Sequence, residues 1–295
     1  MPLVATLIAD PSSRALTPAL AAAASAALGG GAPDWLGEAA ACDIALPDNM
    51  FRDAAETVLA ATLAGLPLDF AVQDARHRRK QALIADMDST MIGQECIDEL
   101  ADMAGFRTEV SAITARAMNG EIAFEPALRE RVALLGGLPV SVIDEVLAAR
   151  ITLAPGGREL VATMRRHGGH TVLVSGGFTR FAGPIGARLG FDEVSANVLC
   201  EEDGRLAGTV REPILGRQAK VETLRRVAAE RGLVPADFIA VGDGANDLDM
   251  LALAGTGVAL HAKPAVAARA RIRIDHGDLT ALLYLQGYRR SQFVA

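Results

Sequence analysis

The sequence predicts an α/β protein whose main unit is a parallel sheet with a helical insertion, preceded by a small α+β unit. Three short apolar runs, residues 82–85, 171–174 and 238–241, each end in polar or glycine residues. Helical patterns lie between them, and buried strands alternating with helices form parallel sheets. The chain before residue 80 has a different order of segments and ends in a charged stretch.

That first part reads in order as follows. Residues 3–8 form an apolar strand, and 16–28 an Ala-rich helix. Residues 34–46 hold two short strands, 54–63 a second helix and 68–72 a last strand. The order βαββαβ is compatible with a ferredoxin-like unit over residues 1–78. The basic run Arg76-His77-Arg78-Arg79-Lys80 reads as a solvated connector and marks the boundary.

The second unit covers residues 79–295. Its helical segments include 220–231, where Val221, Leu224, Val227 and Ala228 share one face. Residues 99–153 interrupt the alternation with helical patterns and no buried strand. They read as an insertion covering the crevice, with Gly105 and Gly120 near its turns. Ligands of parallel sheets sit beyond the carboxyl ends of the strands. The three polar turns fall there and converge on one crevice.

Composition narrows the function. The chain has 295 residues and is 51% hydrophobic, which suits two compact units with a sizeable core. Twenty-nine basic residues against 36 acidic ones give a net charge of -7, which speaks against a nucleic-acid partner. Three cysteines, Cys42, Cys96 and Cys200, make no disulfide framework and fit a reducing compartment. The apolar start has no basic residues before it and meets Asp10 early, unlike a secretory signal. No apolar run reaches the ~18 residues of a membrane span. The expectation is a cytoplasmic protein with no membrane partner.

Asp86 and Asp88 stand two apart just past a strand. In extended chain both side chains can face one space, where they repel unless a cation lies between them. A calcium loop starting at Asp86 fails, because its sixth and twelfth positions are Met91 and Ile97. Gly242-Asp243-Gly244-Ala245-Asn246-Asp247 follows another apolar run. Asp86, Asp243 and a phosphate oxygen would suit magnesium, which prefers a few carboxylates and water to a full protein cage. Ser175-Gly176-Gly177 offers a hydroxyl and backbone N–H groups for an anion. Lys220, opening a helix, offers positive charge for a phosphoryl group. Singly, each has an ordinary reading: turn aspartates, a glycine turn, Ser175 as a helix cap, a solvated lysine. No Walker A, His-Glu-x-x-His or Gly-x-Ser-x-Gly pattern occurs.

Together, Asp86-Met87-Asp88-Ser89-Thr90, Ser175-Gly176, Lys220 and the 242–247 segment resemble the four ordered motifs of the haloacid dehalogenase superfamily. From about Gln81 onward the chain is similar to that superfamily's phosphoserine phosphatase branch. Glu95 in Ile92-Gly93-Gln94-Glu95 and the segment from Met118 through Phe124 to Arg131 extend the likeness.

The resemblance implies a Rossmann-like core with a helical cap, and residue roles. Asp86 is the implied nucleophile and Asp88 the general acid and base. Asp86, the Asp88 carbonyl and Asp243 would hold Mg2+, with Asp247 in support. Ser175, Gly176 and Lys220 would bind the phosphoryl group. Glu95 and Arg131 would take the amine and carboxylate of O-phosphoserine, Met118 and Phe124 would line the cap pocket, and Asn246 would reach the substrate. Phosphohomoserine and phosphothreonine are competing substrates, because Glu95 and Arg131 fix only the amino-acid end. A dehalogenase has no need of Asp88. The N-terminal unit resembles an ACT domain in element order alone. Amino-acid binding, homodimer formation and neither stand open for it.

Overall fold

The computed structural model of the chain describes residues 2–118 and 121–294, without the side chain of Met118. Its N-terminal part runs β1 (Leu3–Ala9), α1 (Pro18–Leu28), β2 (Asp34–Gly37), β3 (Ala41–Ala45), α2 (Arg52–Thr62) and β4 (Leu68–Asp74). The strands form an antiparallel sheet ordered β2-β3-β1-β4, the ferredoxin-like arrangement. Helix α1 starts two residues later than the Ala-rich pattern suggested. Thr17 caps it by accepting the Leu20 N–H, and Pro18 occupies its first turn, where no N–H is needed.

Both faces of this sheet are covered. Ala5, Leu7 and Ala9 of β1 pack with Leu28 and Leu59 of the two helices. Ile8 faces the other way, into a core that includes Tyr284 and Tyr288 of the C-terminal segment. The buried Asp69 carboxylate accepts backbone N–H groups of Asp275 (2.8 Å), His276 (3.1 Å) and Gly277 (2.7 Å).

The expected solvated connector is largely engaged. Arg78 bonds the Asp43 carboxylate, Arg79 lies 3.9 Å over the Tyr288 ring, and Lys80 Nζ donates to the His77 and Ala236 carbonyls, each at 2.9 Å. Charge density in sequence does not reveal that the C-terminal segment folds back over these residues.

The larger part contains β5 (Ala82–Ala85), α3 (Cys96–Ala104), α4 (Arg107–Met118), α5 (Phe124–Ala133), α6 (Ser141–Ala149), α7 (Gly157–Arg166), β6 (His170–Phe178) and α8 (Thr179–Leu189). Then come β7 (Glu193–Asn197), β8 (Leu199–Glu202), β9 (Arg205–Val210), α9 (Arg217–Arg231), β10 (Phe238–Gly242), α10 (Leu248–Leu253), β11 (Thr256–Leu260), α11 (Pro264–Ala267), β12 (Ile272–Ile274) and α12 (Ala281–Leu285). Six strands make a parallel sheet ordered β12-β11-β10-β5-β6-β7. Alternation sorts its two faces: Ala82 and Ile84 pack with Leu224 and Val227 of α9, while Leu83 and Ala85 join the core with Leu160 and Phe181. Connections leave β5 toward β6 on one side and return to β10 on the other, so β5 borders the switch point where a crevice opens.

Helices α3 to α6, from Cys96 to Ala149, lie between β5 and α7 as a helical insertion, and the first begins three residues before the expected 99. Gly105 ends α3 in the left-handed region (φ 81), where glycine avoids a Cβ clash. Gly120 lies outside the described residues. Among the described residues, no helix is long and apolar enough to cross a membrane.

Candidate active site

Three strand ends build the crevice. At the first, the Asp86 N–H donates to Val241 O (3.0 Å), keeping the residue in line with β10. The chain then winds tightly. The N–H groups of Met91 and Ile92 converge on Met87 O, and Ser89 takes a positive φ of 54. Asp88 thereby turns toward α3, where its Oδ1 accepts the Cys96 N–H at 3.3 Å.

At the second, β6 does not stop at Val174. It continues through Ser175-Gly176-Gly177 to Phe178, and α8 begins only at Thr179. Ser175 is therefore no helix cap. Its register with β7 slips between Val174 and Phe178, and Ser175 Oγ accepts the Gly177 N–H at 2.8 Å. A methyl group on Gly177 would lie 2.9 Å from Asp88 Oδ2 and 3.0 Å from Ser175 Oγ. The absent side chain is what lets these two groups converge.

At the third, a Cβ on Gly242 would overlap the Asp247 carboxylate, so glycine admits that side chain beneath Asp243. Asp247 is fully buried; its Oδ2 accepts the Gly244 N–H at 3.0 Å and its Oδ1 the Lys220 ammonium at 2.6 Å. The same ammonium lies 2.6 Å from Asp86 Oδ1. Lys220 sits one turn inside α9 rather than at its start and is 1% exposed. The solvated reading of this lysine is wrong, because α9 packs its N-terminal turn over the carboxylates.

The charges are strongly coupled. Burial and the neighbouring Asp247 push the Asp86 carboxyl well above its ordinary range, against the pull of Lys220. Burial works against the Lys220 charge, but Asp86 and Asp247 outweigh it and raise its pKa. Burial, followed by the charge of Glu95, pushes Asp88 up to about 7. Asp243 is raised by burial, with Lys263 opposing. Carboxylate oxygens of Asp86, Asp243 and Asp247 lie within 4.8 Å of one another, all three residues buried. Three buried acids against one buried lysine leave negative charge that a hard, oxygen-seeking cation would balance, so the donor set fits a divalent metal. Asp247 is held at both oxygens by close donors, at 2.6 and 3.0 Å, whereas the Asp243 oxygens have only longer contacts, from Thr90 at 3.4 Å and Lys263 at 3.5 Å, so Asp86 and Asp243 are the better placed to ligate.

The insertion brings further groups over the crevice. A Cβ on Gly176 would lie 3.2 Å from Phe124, and one on Gly216 would lie 3.3 Å from the same ring. Phe124 thus sits across the Ser175-Gly176 strand end and the start of α9. Glu95 stands at the N-cap position of α3 without capping it by its side chain; its Oε1 instead accepts the Ser89 hydroxyl at 3.0 Å. Arg131 on α5 donates Nε to Ala127 O (3.2 Å). Burial lowers its pKa, while the charges of Asp98, Glu95 and Asp88 draw it up. Asn246 is half-buried beside Gly244. Met118 closes α4, and its side chain lies outside the described part.

One member of the cluster escaped the sequence reading. Lys263 Nζ lies 3.5 Å from Asp243 Oδ2 and 3.6 Å from Glu95 Oε1. A signal existed: residues 256–260 are a fourth apolar run ending in the polar His261 and then Lys263.

The haloacid dehalogenase-like hydrolase family model matches residues 83–252. A phosphoserine phosphatase of Streptomyces coelicolor is 46% identical over 241 residues, covering 81% of this chain and 58% of its own length. The phosphoserine phosphatase of a Polaromonas species is 44% identical over 226 residues, covering 75% of this chain and 96% of its own. This chain therefore spans little more than half of the Streptomyces relative, which reaches well beyond the matched part. Among solved structures, a HAD family hydrolase of Salmonella enterica serovar Typhi superposes with TM-score 0.85 at 29% identity, covering 96% of this chain and 98% of that one. A phosphoserine phosphatase carrying a phospho-aspartyl intermediate analogue superposes with TM-score 0.65 at 39% identity, covering 70% of this chain and 98% of that one.

Proposed function

The chain belongs to the haloacid dehalogenase-like hydrolase family, and we propose that it hydrolyses O-phospho-L-serine to L-serine and phosphate through an aspartyl-phosphate on Asp86. The observation that carries this reading is the convergence of Asp86, Asp88 and Ser175 beside the buried Lys220. The relatives' activity supplies the substrate.

In the first step an Asp86 carboxylate oxygen attacks phosphorus and the bond from phosphorus to the serine oxygen breaks. Asp88 gives its proton to that leaving oxygen. A carboxyl group raised to about 7 by burial and by Glu95 holds a proton near neutrality and can still release it. In the second step Asp88, now a carboxylate, takes a proton from water. The water oxygen bonds to phosphorus, the phosphorus–Asp86 bond breaks, and Asp86 is regenerated. Splitting the hydrolysis this way replaces one hard displacement with two easier ones.

A phosphate dianion repels a carboxylate, and Lys220 offsets that repulsion from within hydrogen-bond distance of Asp86. Asp86, Asp243 and the Asp88 carbonyl would hold Mg2+, with Asp247 supporting; the bound ion supplies charge neutralisation at the phosphoryl oxygens. Ser175 and the Gly176 backbone bind those oxygens. Glu95 and Arg131 bind the substrate amine and carboxylate, Phe124 and Met118 close the cap pocket, and Asn246 contacts substrate. Residues 1–78 form a unit of their own with a regulatory or dimerising role. The buried or half-buried free thiols fit a cytoplasmic setting.

The test is phosphate release from phosphoserine, phosphothreonine, phosphohomoserine and an aryl phosphate, with Mg2+ present. Phosphoserine should have the highest kcat/KM. Arg131→Ala should reduce that value far more than the value for the aryl phosphate. Better turnover of another ester would move the assignment to that ester. Asp86→Asn should abolish turnover and the acid-stable mass increment of a phosphoenzyme.

A further inference from the structure

Lys263 has no task in the reaction above, yet it touches two of its residues. It follows the C-terminal end of β11, and its backbone N–H donates to Asp243 O at 3.2 Å. That bond fixes its position beside the strand end carrying Asp243. Its ammonium then bridges Asp243 Oδ2 at 3.5 Å and Glu95 Oε1 at 3.6 Å. One carboxylate belongs to the acidic cluster and the other precedes α3.

The contacts on Glu95 are one-sided. Ser89 Oγ and Lys263 Nζ both meet Oε1. Among the described residues no donor meets Oε2. An unrestrained glutamate samples several rotamers and must be ordered when a ligand binds. One hydrogen bond from Ser89 and one ammonium charge at 3.6 Å on the same oxygen restrain the carboxylate and leave the other oxygen free to accept.

We propose that Lys263 is a positioning residue with two effects. It holds Glu95 so that Oε2 faces the ammonium group of an amino-acid phosphoester. Its charge beside Asp243 also weakens the hold of the acidic cluster on a divalent cation. The first effect rests on the substrate reading above; the second does not, because like charges repel whatever the substrate.

The experiment uses full-length Lys263→Gln and Lys263→Arg. The lysine side chain is 46% exposed, so the substitutions leave the core intact. Steady-state kinetics are measured with phosphoserine and p-nitrophenyl phosphate, and Mg2+ binding by calorimetry without substrate. Lys263→Gln should raise KM for phosphoserine by about five-fold, the scale of one half-exposed ion pair. KM for p-nitrophenyl phosphate should stay unchanged. Mg2+ should bind about three-fold more tightly, since a screened like charge has gone. Lys263→Arg should restore wild-type values in both assays. Equal changes in KM for the two substrates, or none, overturn the Glu95 role; unchanged or weaker Mg2+ binding overturns the Asp243 role. If the wild-type protein itself does not prefer phosphoserine, the substrate reading and the Glu95 role fail together. The calorimetric result still decides the Asp243 role.

Discussion

The Lys220 ammonium lies 2.6 Å from Asp86 Oδ1, and neither side chain is more than 7% exposed. The same ammonium reaches Asp247 at the same distance. A single cation therefore balances two buried acids, and its removal leaves both without that balancing charge. Lys220→Met should destabilise the protein by about 3–5 kcal/mol, the usual cost of breaking a buried ion pair from one side. Urea unfolding measures this. Turnover should fall together with stability, and a variant of wild-type stability would show that the pair contributes little.

Asp88 sets a pH limit. Its carboxyl group is raised to about 7 by burial and Glu95, and in the proposed mechanism it must carry a proton to release the leaving alkoxide. Below about 7 the acid form dominates; above it the proton is lost. The chemical step should therefore slow tenfold per pH unit on the alkaline side, an ionisation limb near 7. Asp88→Asn should remove that limb along with most of the activity. In the metal-free protein the sign for stability is the same. A carboxyl whose folded pKa is raised stabilises fully at pH below its unfolded value near 3.8, and that contribution fades as pH rises through 7. Thermal melts of wild type and Asp88→Asn across pH 4 to 8 should diverge accordingly.

Gly177 needs its missing side chain. A methyl there would stand 2.9 Å from Asp88 Oδ2 and 3.0 Å from Ser175 Oγ. Gly177→Ala should displace the acid and lower kcat on the order of 100-fold, the scale of an ångström-sized misplacement. Stability should fall by only about 1–3 kcal/mol from overpacking. Unimpaired kcat would mean that Asp88 works from another position.

The buried trio Asp86, Asp243 and Asp247 carries the prediction of metal dependence. EDTA should abolish activity and excess Mg2+ restore it. At 100 times its dissociation constant, the ion should add about 2.7 kcal/mol of stability by mass action. That gain should shrink as pH falls, because the raised carboxyls of Asp86 and Asp243 must lose protons to ligate. Differential scanning calorimetry at pH 5 and 7.5 compares the two; a melting point indifferent to Mg2+ at both would contradict the metal site.

The sequence by itself determined three of the six parallel strands, at 82–85, 171–174 and 238–241, and where their polar ends lie. Short apolar runs such as 82–85 and 238–241, alternating with helical patterns, read as buried strands of a parallel sheet, and Asp86 and Asp243 follow from their ends. Family likeness then grouped Ser175, Lys220, Glu95 and Arg131 with them. Only the tertiary structure decided which charges meet. Lys220 looked like a solvated helix residue because local periodicity says nothing of what α9 packs against. Ser175 looked like a helix cap because the bulge that prolongs β6 is set by β7, its neighbour in the sheet. Arg78 looked solvated, yet it binds Asp43 in the N-terminal sheet. Lys263 has no motif of its own in the local sequence. Its partners lie 20 and 168 residues away along the chain, at Asp243 and Glu95. Such pairings depend on sheet order and register, which bring distant strand ends to one place, and a short pattern in sequence cannot encode them.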